Sequence, residues 1–141
     1  MALKLSLKPG ERLVVNGAVL QNGDRRSVLL LQNKASILRE KDIIQPEEAN
    51  TPARRIYFPI MMMYLAPAEA NKYYDEFVLR LNEFMGAVLS TDILKECVSL
   101  SREVMGADYY KALTRCRKLL TFEQGLLGNV DPGLPERGAE D

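Results

Sequence analysis

Residues 12–21, RLVVNGAVLQ, contain the signal that decides the fold of the first part of the chain. Two short apolar stretches lie on either side of Asn16-Gly17. Both central residues of a type I′ turn have positive φ, a conformation that Asn and Gly tolerate. The stretch therefore predicts a β-hairpin with one strand before this pair and one strand after it.

Further strands are predicted on both sides of the hairpin. Leucine alternates with polar residues over 3–7, residues 26–32 form a largely apolar run, and residues 35–39 make a fifth short strand. Asn22-Gly23-Asp24 predicts a second turn of the same kind. Short strands joined by tight turns are typical of a small antiparallel sheet or barrel, which we assign to residues 1–49.

The apolar period changes to that of helices from residue 50 onward. Thr51-Pro52 predicts a helix start, with a hydroxyl cap followed by proline at the first helical position. Pro59 is expected to kink or break this first helix, because it lacks an N–H and clashes with the preceding turn. Apolar residues at i, i+3 and i+4 predict three more helices over residues 68–88, 91–105 and 107–122.

Ser90 is the predicted cap of the third helix, and Gly106 is its predicted stop. The segment from Gly128 onward is rich in Pro and Gly and is expected to be disordered. The chain is thus predicted to be an α+β protein with three parts. These are a basic β module over residues 1–49, a helical module of about four helices over residues 50–127, and a tail over residues 128–141.

Composition excludes several classes of function. The chain has 141 residues, no His, no Trp and two cysteines, so it has neither a Ser-His-Asp triad nor a four-thiolate zinc site. We expect no catalytic residue, metal or cofactor, and we expect Cys97 and Cys116 to be buried and reduced. The longest apolar run contains two prolines and falls short of the ~20 residues of a membrane span. A soluble cytoplasmic protein without a membrane partner is predicted.

The net charge of zero conceals an asymmetry along the chain. Through Arg55 there are ten basic and six acidic residues, whereas from Ile56 onward there are nine basic and thirteen acidic residues. A basic β module is typical of nucleic-acid binding, although a solvated sheet face would have the same composition. The first 55 residues contain no Phe or Tyr, so a base-stacking platform is not predicted there. The ten aromatic residues of the helical part are expected to pack in the core.

A partner-binding surface is a second candidate. Arg54 and Arg55 lie at a helix start, where the helix dipole disfavours cations. A bound phosphate or acidic partner would explain the pair, and so would simple exposure to solvent. Met61 and Met62 belong to a Met triplet that either lines an adaptable groove or fills the core.

Three stretches carry a family resemblance: KLSLKPGERLVVNGAVLQNGDRRS (4–27), LQNKASILREKDIIQPE (31–47) and NTPARRIYFPIMMMYL (50–65). They resemble the FlbT family of flagellum biosynthesis regulators. The resemblance implies a protein that binds the 5′ untranslated region of flagellin mRNA and promotes its degradation or represses its translation. It also implies FlaF or flagellin as protein partners. The sign of the regulation stays open, because some relatives activate.

The strand layout is also similar to that of the carbon-storage regulator CsrA, a small dimeric β protein that binds message leaders. The similarity includes Gly10-Glu11 after the first strand and Arg39-Glu40 at the end of the fifth. It implies that Arg39 contacts RNA and allows a homodimer. Leu38 and Lys41 depart from the His-Arg-Glu-Glu motif of that family.

Two hypotheses follow from the sequence. In the first, Arg39 reads a base edge of the flagellin mRNA leader, and five other cations hold its phosphates: Lys4, Lys8, Arg25, Arg26 and Lys34. In the second, the protein is an adaptor or export-chaperone-like factor whose aromatic helices hold flagellin or FlaF, and any effect on mRNA is indirect.

Overall fold

The computed structural model describes residues 2–130, and the side chains of residues 2–126. Five strands precede four helices, which confirms the α+β class and the order of the two modules. The strands are β1 (Leu3–Leu7), β2 (Arg12–Val15), β3 (Ala18–Gln21), β4 (Ser27–Leu31) and β5 (Ile37–Arg39). The helices are α1 (Pro52–Leu65), α2 (Ala70–Ala87), α3 (Thr91–Met105) and α4 (Tyr109–Val130).

All strand pairs are antiparallel, and they form two sheets. One sheet pairs β1 with β4, and the other has the order β3-β2-β5. The predicted hairpin joins β2 to β3, with Asn16 at φ 50° and Gly17 at φ 85°, as a type I′ turn requires. The second predicted turn, at Asn22-Gly23-Asp24, is wrong as a hairpin, because β3 and β4 are not paired with each other. The chain crosses there from one sheet to the other.

Two clusters of buried side chains hold the fold together. Leu5, Leu7 and Leu13 fill a small core between the two sheets, and a much larger core joins the four helices. Strand β5 belongs to both. Its Ile37 packs against the small core, and its neighbour Leu38 is buried in the helical core. Because successive side chains of a strand point to opposite faces, this short strand connects the two modules.

Helix α1 lies at the centre of the helical core and begins at the predicted cap. The Thr51 hydroxyl accepts a hydrogen bond from the Arg54 amide and donates one to Glu123 of α4. Glu123 also accepts a hydrogen bond from the amide of Ala53. A buried carboxylate therefore pairs with a backbone N–H of the first turn that has no partner within the helix. The expectation that Pro59 breaks the helix is wrong. Pro59 is buried inside α1, and the helix continues to Leu65.

The other helices start and stop close to the predicted residues. Ser90 caps α3 through a hydrogen bond from the Ile93 amide, and Gly106 ends it. Helix α4 is longer than predicted and continues to Val130, so the predicted tail overlaps it at three residues. The remainder of that tail, residues 131–141, lies outside the described residues. None of the helices between residues 2 and 130 is long and apolar enough to cross a bilayer.

Two cysteines and an ion-pair network hold α3 against α4. Cys97 and Cys116 are both free and buried, as predicted. Arg115 of α4 donates two hydrogen bonds of 2.9 Å to Glu103 and one of 2.7 Å to Glu96, both on α3. The acidic residues of this network are therefore neutralised within the helical module.

Candidate nucleic-acid interface

A groove of about 1400 Å³ lies where the β module meets helices α1 and α4. Its walls come from β1, from β5 and the turns around it, and from one face of each of the two helices. Five cationic side chains and a single acidic one line it. They are Lys8, Lys34, Arg39, Lys41 and Arg117, with Asp42 as the acid. The groove is therefore a cationic cleft with walls from both modules.

Arg117 contributes the positive charge on the helical side. Its Nη2 lies 3.3 Å from Asp42 Oδ2, an ion pair without hydrogen-bond geometry, so Nε and Nη2 are buried without a hydrogen-bond partner among the described residues. Burial alone would lower the pKa of Arg117, but Tyr57 and Asp42 raise it above its usual value. The guanidinium therefore stays charged, and its buried Nε and Nη2 are not hydrogen-bonded to any of the described residues.

Tyr57 keeps Asp42 in place beneath Arg117. Its hydroxyl donates a 2.6 Å hydrogen bond to the backbone carbonyl of Asp42. Burial raises the pKa of Tyr57 to about 12, so the hydroxyl remains a neutral donor at physiological pH. The position of the acidic residue in the groove is thus fixed by a buried contact.

A pair of tyrosines forms the aromatic part of the groove. The rings of Tyr64 on α1 and Tyr110 on α4 have centroids 5.6 Å apart and are tilted by 45°. The Tyr64 hydroxyl accepts from the amide of Ile37 at 2.7 Å and donates to its carbonyl at 2.9 Å. Tyr110 is 52% exposed and presents a ring to the groove. Base-sized aromatic surface therefore lies beside the cations.

Arg39 is held by contacts within the β module. It donates from Nε and Nη2 to the Glu11 carboxylate, at 3.1 Å for the shortest contact, and from Nη2 to the carbonyl of Ser6. The amide of Lys8 and the Arg39 guanidinium hold the pKa of Glu11 below its usual value. Arg39 lines the groove, and among the described residues its Nη1 has no hydrogen-bond partner while Nε and Nη2 are fixed by their contacts.

Comparison with known proteins places the chain in a family. The model of the family described as flagellar protein FlbT matches residues 3–127. The chain belongs to the FlbT family. It is 59% identical over 138 residues to the flagellum biosynthesis repressor protein FlbT of Caulobacter vibrioides, covering 98% of each chain. No solved structure matches the chain.

Two further relatives also match along most of their length. A probable flagellum biosynthesis repressor of a second Caulobacter species is 62% identical over 130 residues, which is 92% of this chain and 99% of the relative. A protein of the same name from Bradyrhizobium diazoefficiens is 36% identical over 141 residues, covering 99% of this chain and 94% of the relative. The similarity therefore includes both modules.

The structure of this FlbT-family chain brings together half of the six cations predicted from the sequence to bind RNA. Lys8, Lys34 and Arg39 line the groove. The other three do not line it: Lys4 is exposed on β1, and Arg25 and Arg26 are exposed in the connection between β3 and β4. Residues 1–49 thus supply only part of the cationic surface.

Sequence reasoning missed four residues of the groove: Lys41, Tyr64, Tyr110 and Arg117. The expectation that the aromatic residues only pack in the core is wrong for Tyr110. A usable signal was present, since Tyr57 and Tyr64 are seven residues apart on α1, and Tyr110 and Arg117 are seven apart on α4. Residues at i and i+7 share one helix face. The spacing does not reveal that both faces meet the β module.

The residues predicted to bind a protein partner lie in two environments, since the methionines are in or against the core and the arginines are at the start of α1. Met61 is 2% exposed, so the assignment of its side chain to a partner surface is corrected to core packing. Met62 is partly buried against the same core. Arg54 donates to the side chain of Asn50 at 3.1 Å, and Arg55 is exposed. The two arginines remain available to solvent at the start of α1.

Proposed function

We propose that this protein is a post-transcriptional regulator that binds the 5′ untranslated region of flagellin mRNA in the cationic groove and represses flagellin synthesis. The groove, with its five cations beside an exposed tyrosine, is the observation that carries the proposal. The names of the relatives, which describe repressors of flagellum biosynthesis, support the regulatory part. Repression would act in the cytoplasm, by blocking translation or promoting decay of the message.

Each part of the groove has a role in this proposal. Lys8, Lys34, Lys41 and Arg117 hold phosphates, because charged side chains along a groove attract the backbone and release its counterions. Tyr110 stacks on a base. Arg39 uses its unpaired Nη1 to contact a base edge, and its ion pair with Glu11 fixes the direction of that contact.

The preferred target is unpaired RNA. The major groove of A-form RNA is too narrow for side chains to read, and stacking on Tyr110 needs a base that is free of its own helix. A single exposed ring beside several cations is typical of grooves that follow a single strand. We therefore expect a loop or unpaired stretch of the leader to bind better than the same sequence in a duplex.

Binding of purified full-length protein to fluorescently labelled leader RNA tests the proposal. Log affinity should fall linearly with log salt between about 50 and 200 mM, with a slope near −3 for four phosphate contacts to a single strand. A matched duplex of the same sequence should bind more weakly. Affinity that does not change with salt would contradict direct phosphate contact.

Variants separate the roles of the groove residues. Lys34→Gln and Lys41→Gln should each reduce the salt slope by about 0.7, because each removes one phosphate contact. Tyr110→Ala should weaken binding about tenfold and leave the slope unchanged, since stacking is not ionic. The matched control is Lys95→Gln, which changes an exposed lysine of α3 that does not line the groove. Equal effects of the control and the groove variants would refute the site.

Arg39 needs a separate comparison because it also holds Glu11. Arg39→Ala should weaken RNA binding several-fold, whereas Glu11→Gln, which frees the guanidinium and removes a negative charge, should not. If both variants weaken binding equally, Arg39 acts by organising the β module and not by touching RNA.

A second candidate function is supported by the outer face of α2. Tyr74 and Val78 are exposed at i and i+4, and Leu79 is exposed beside them. Exposed apolar side chains on one helix face are typical of a surface that binds a partner helix. This supports an adaptor that holds FlaF or flagellin. Binding of purified FlaF or flagellin by a protein that does not bind leader RNA would favour the adaptor over the RNA-binding regulator.

A further inference from the structure

The two sheets of the β module have four outer edges, and two of them are closed by side chains. At β5, the Tyr64 hydroxyl bonds both the amide and the carbonyl of Ile37. At β1, Arg39 donates to the carbonyl of Ser6. Within residues 2–130, the outward backbone groups of β3 and β4 have no hydrogen-bond partner. We call these two strands the open edge.

The small core is uncovered beside the open edge. Leu20 of β3 lies opposite Leu13 of β2, and Leu29 of β4 lies opposite Leu5 of β1. Opposite residues share one face of a sheet, so Leu20 and Leu29 are on the same faces as buried core residues. They are nevertheless 43% and 41% exposed. The apolar surface of the small core therefore continues to the open edge, where its side chains are partly exposed to solvent.

The open edge also lacks the features that normally prevent strands from pairing with another chain. Edge strands of monomeric proteins are protected by charged residues, Pro or bulges. β1, β2 and β5 each carry a charged residue, but β3 (AVLQ) and β4 (SVLLL) carry neither charge nor Pro. The most exposed apolar side chains on them are Val19 at 70% and Leu30 at 59%. The unprotected strands are thus the ones whose backbone is free.

We propose that a second copy of this chain covers the open edge and makes the protein a homodimer through its β module. An isologous two-fold contact brings the same surface of both copies together, and an antiparallel pairing of β4 with its copy buries only uncharged side chains. Five apolar side chains of β3 and β4 are between 41% and 70% exposed. They present on the order of 500 Å² per copy, so that two copies bury about 1,000 Å², which is the lower limit for a specific interface.

The charge of the chain also favours a second copy over a charged partner. Neither β3 nor β4 carries a charged residue, so two copies meet there without like charges on the paired strands. The basic groove is lined by β1, β5, α1 and α4 and by none of the residues of β3 or β4. Dimerisation through the open edge therefore leaves the groove accessible, and the dimer does not depend on RNA binding.

Sedimentation velocity and light scattering on the full chain test the dimer. The expected mass is twice the 15.9 kDa of one chain at micromolar concentration. The amides of β3 and β4 should exchange with solvent more slowly as the protein concentration rises. A mass of 15.9 kDa throughout the concentration range would overturn the proposal.

Lysine substitutions locate the interface. Val28→Lys combined with Leu30→Lys should give a monomer with unchanged helical circular dichroism, because both positions are exposed on β4. Val19→Lys on β3 provides a second test if the double variant does not fold. The matched control is Leu89→Lys combined with Val98→Lys, two exposed apolar residues of the helical module, and it should remain a dimer. A folded β4 variant that still forms the dimer would overturn the proposed surface.

Deletion of residues 131–141 tests whether a second copy or the chain's own tail covers the open edge. The shortened chain should form the same dimer as the full chain. If the full chain is a monomer and only the shortened chain associates, the tail covers the open edge and the proposed dimer is wrong.

Discussion

The hydroxyl of Tyr64 is one atom that connects the helical module to the β module. It accepts from the amide of Ile37 and donates to the carbonyl of the same residue, at 2.7 and 2.9 Å. The substitution Tyr64→Phe removes this oxygen and keeps the ring, so that packing against Tyr110 is preserved. The effect should therefore report the two hydrogen bonds alone.

The magnitude follows from the exposure of the site. Each hydrogen bond contributes about 0.5–1.5 kcal/mol to stability, and an unpaired buried group costs about 1–3 kcal/mol. Tyr64 is only partly buried, so water reaches the freed groups and offsets some of this cost. We expect a loss of about 2 kcal/mol in the free energy of unfolding. For a domain of this size, the melting temperature should fall by roughly 6–10 °C.

Urea unfolding followed by circular dichroism measures the loss, and amide exchange locates it. The amide of Ile37 should exchange much faster in the variant, while amides in α3 should change only by the global loss of stability. Tyr74→Phe is the matched control, because Tyr74 is exposed on α2 and its hydroxyl has no hydrogen-bond partner among the described residues. If both variants lose the same stability, Tyr64 does not fasten β5 to the helices.

Two further predictions concern buried ionisable groups. Glu123→Ala should lower the free energy of unfolding by about 2–4 kcal/mol in the same urea assay, because it leaves the Ala53 amide unpaired at the start of α1. The control, Glu83→Ala on the surface of α2, should lower it by under about 0.5 kcal/mol. Burial raises the pKa of Cys97 to about 11 and also raises the pKa of Cys116. The unfolded chain releases these protons from about pH 9, but the folded chain does not, so the free energy of unfolding should fall between about pH 9 and 11. The urea midpoint should decline less steeply in the Cys97→Ala, Cys116→Ala double variant, and an equal decline in both proteins would contradict the buried-thiol explanation.

Features with a local cause were predictable from the sequence. The type I′ turn at Asn16-Gly17 depends on two adjacent residues, and the caps at Thr51 and Ser90 depend on a hydroxyl at a helix start. The strand and helix periods are equally local, so most element bounds agree with the structure to within a few residues. Pro59 does not break α1, because a central helix packed on several sides can tolerate a proline that an isolated helix could not.

Strand pairing and the groove have no local cause. The segment at Asn22-Gly23 has the composition of a hairpin turn, but the partner of β4 is β1, more than twenty residues away. In the same way, the spacing of Tyr110 and Arg117 places them on one face of α4 without showing what that face meets. Contacts between distant segments depend on how all the elements pack, and a single sequence does not contain that information in a readable form.

The division of charge along the chain illustrates this difference. The sequence assigned RNA binding to the basic half and packing to the acidic half, but the groove takes Arg117, Tyr64 and Tyr110 from the acidic half. Several acidic residues of that half form contacts outside the groove. Glu96 and Glu103 pair with Arg115, and the remainder include Glu123 at the start of α1 and the surface carboxylates of α2. Asp42, the acidic residue that does line the groove, comes from the basic half. What makes this groove cationic is therefore which charged side chains the packing brings together where the two modules meet, and the net charge of either half does not determine that.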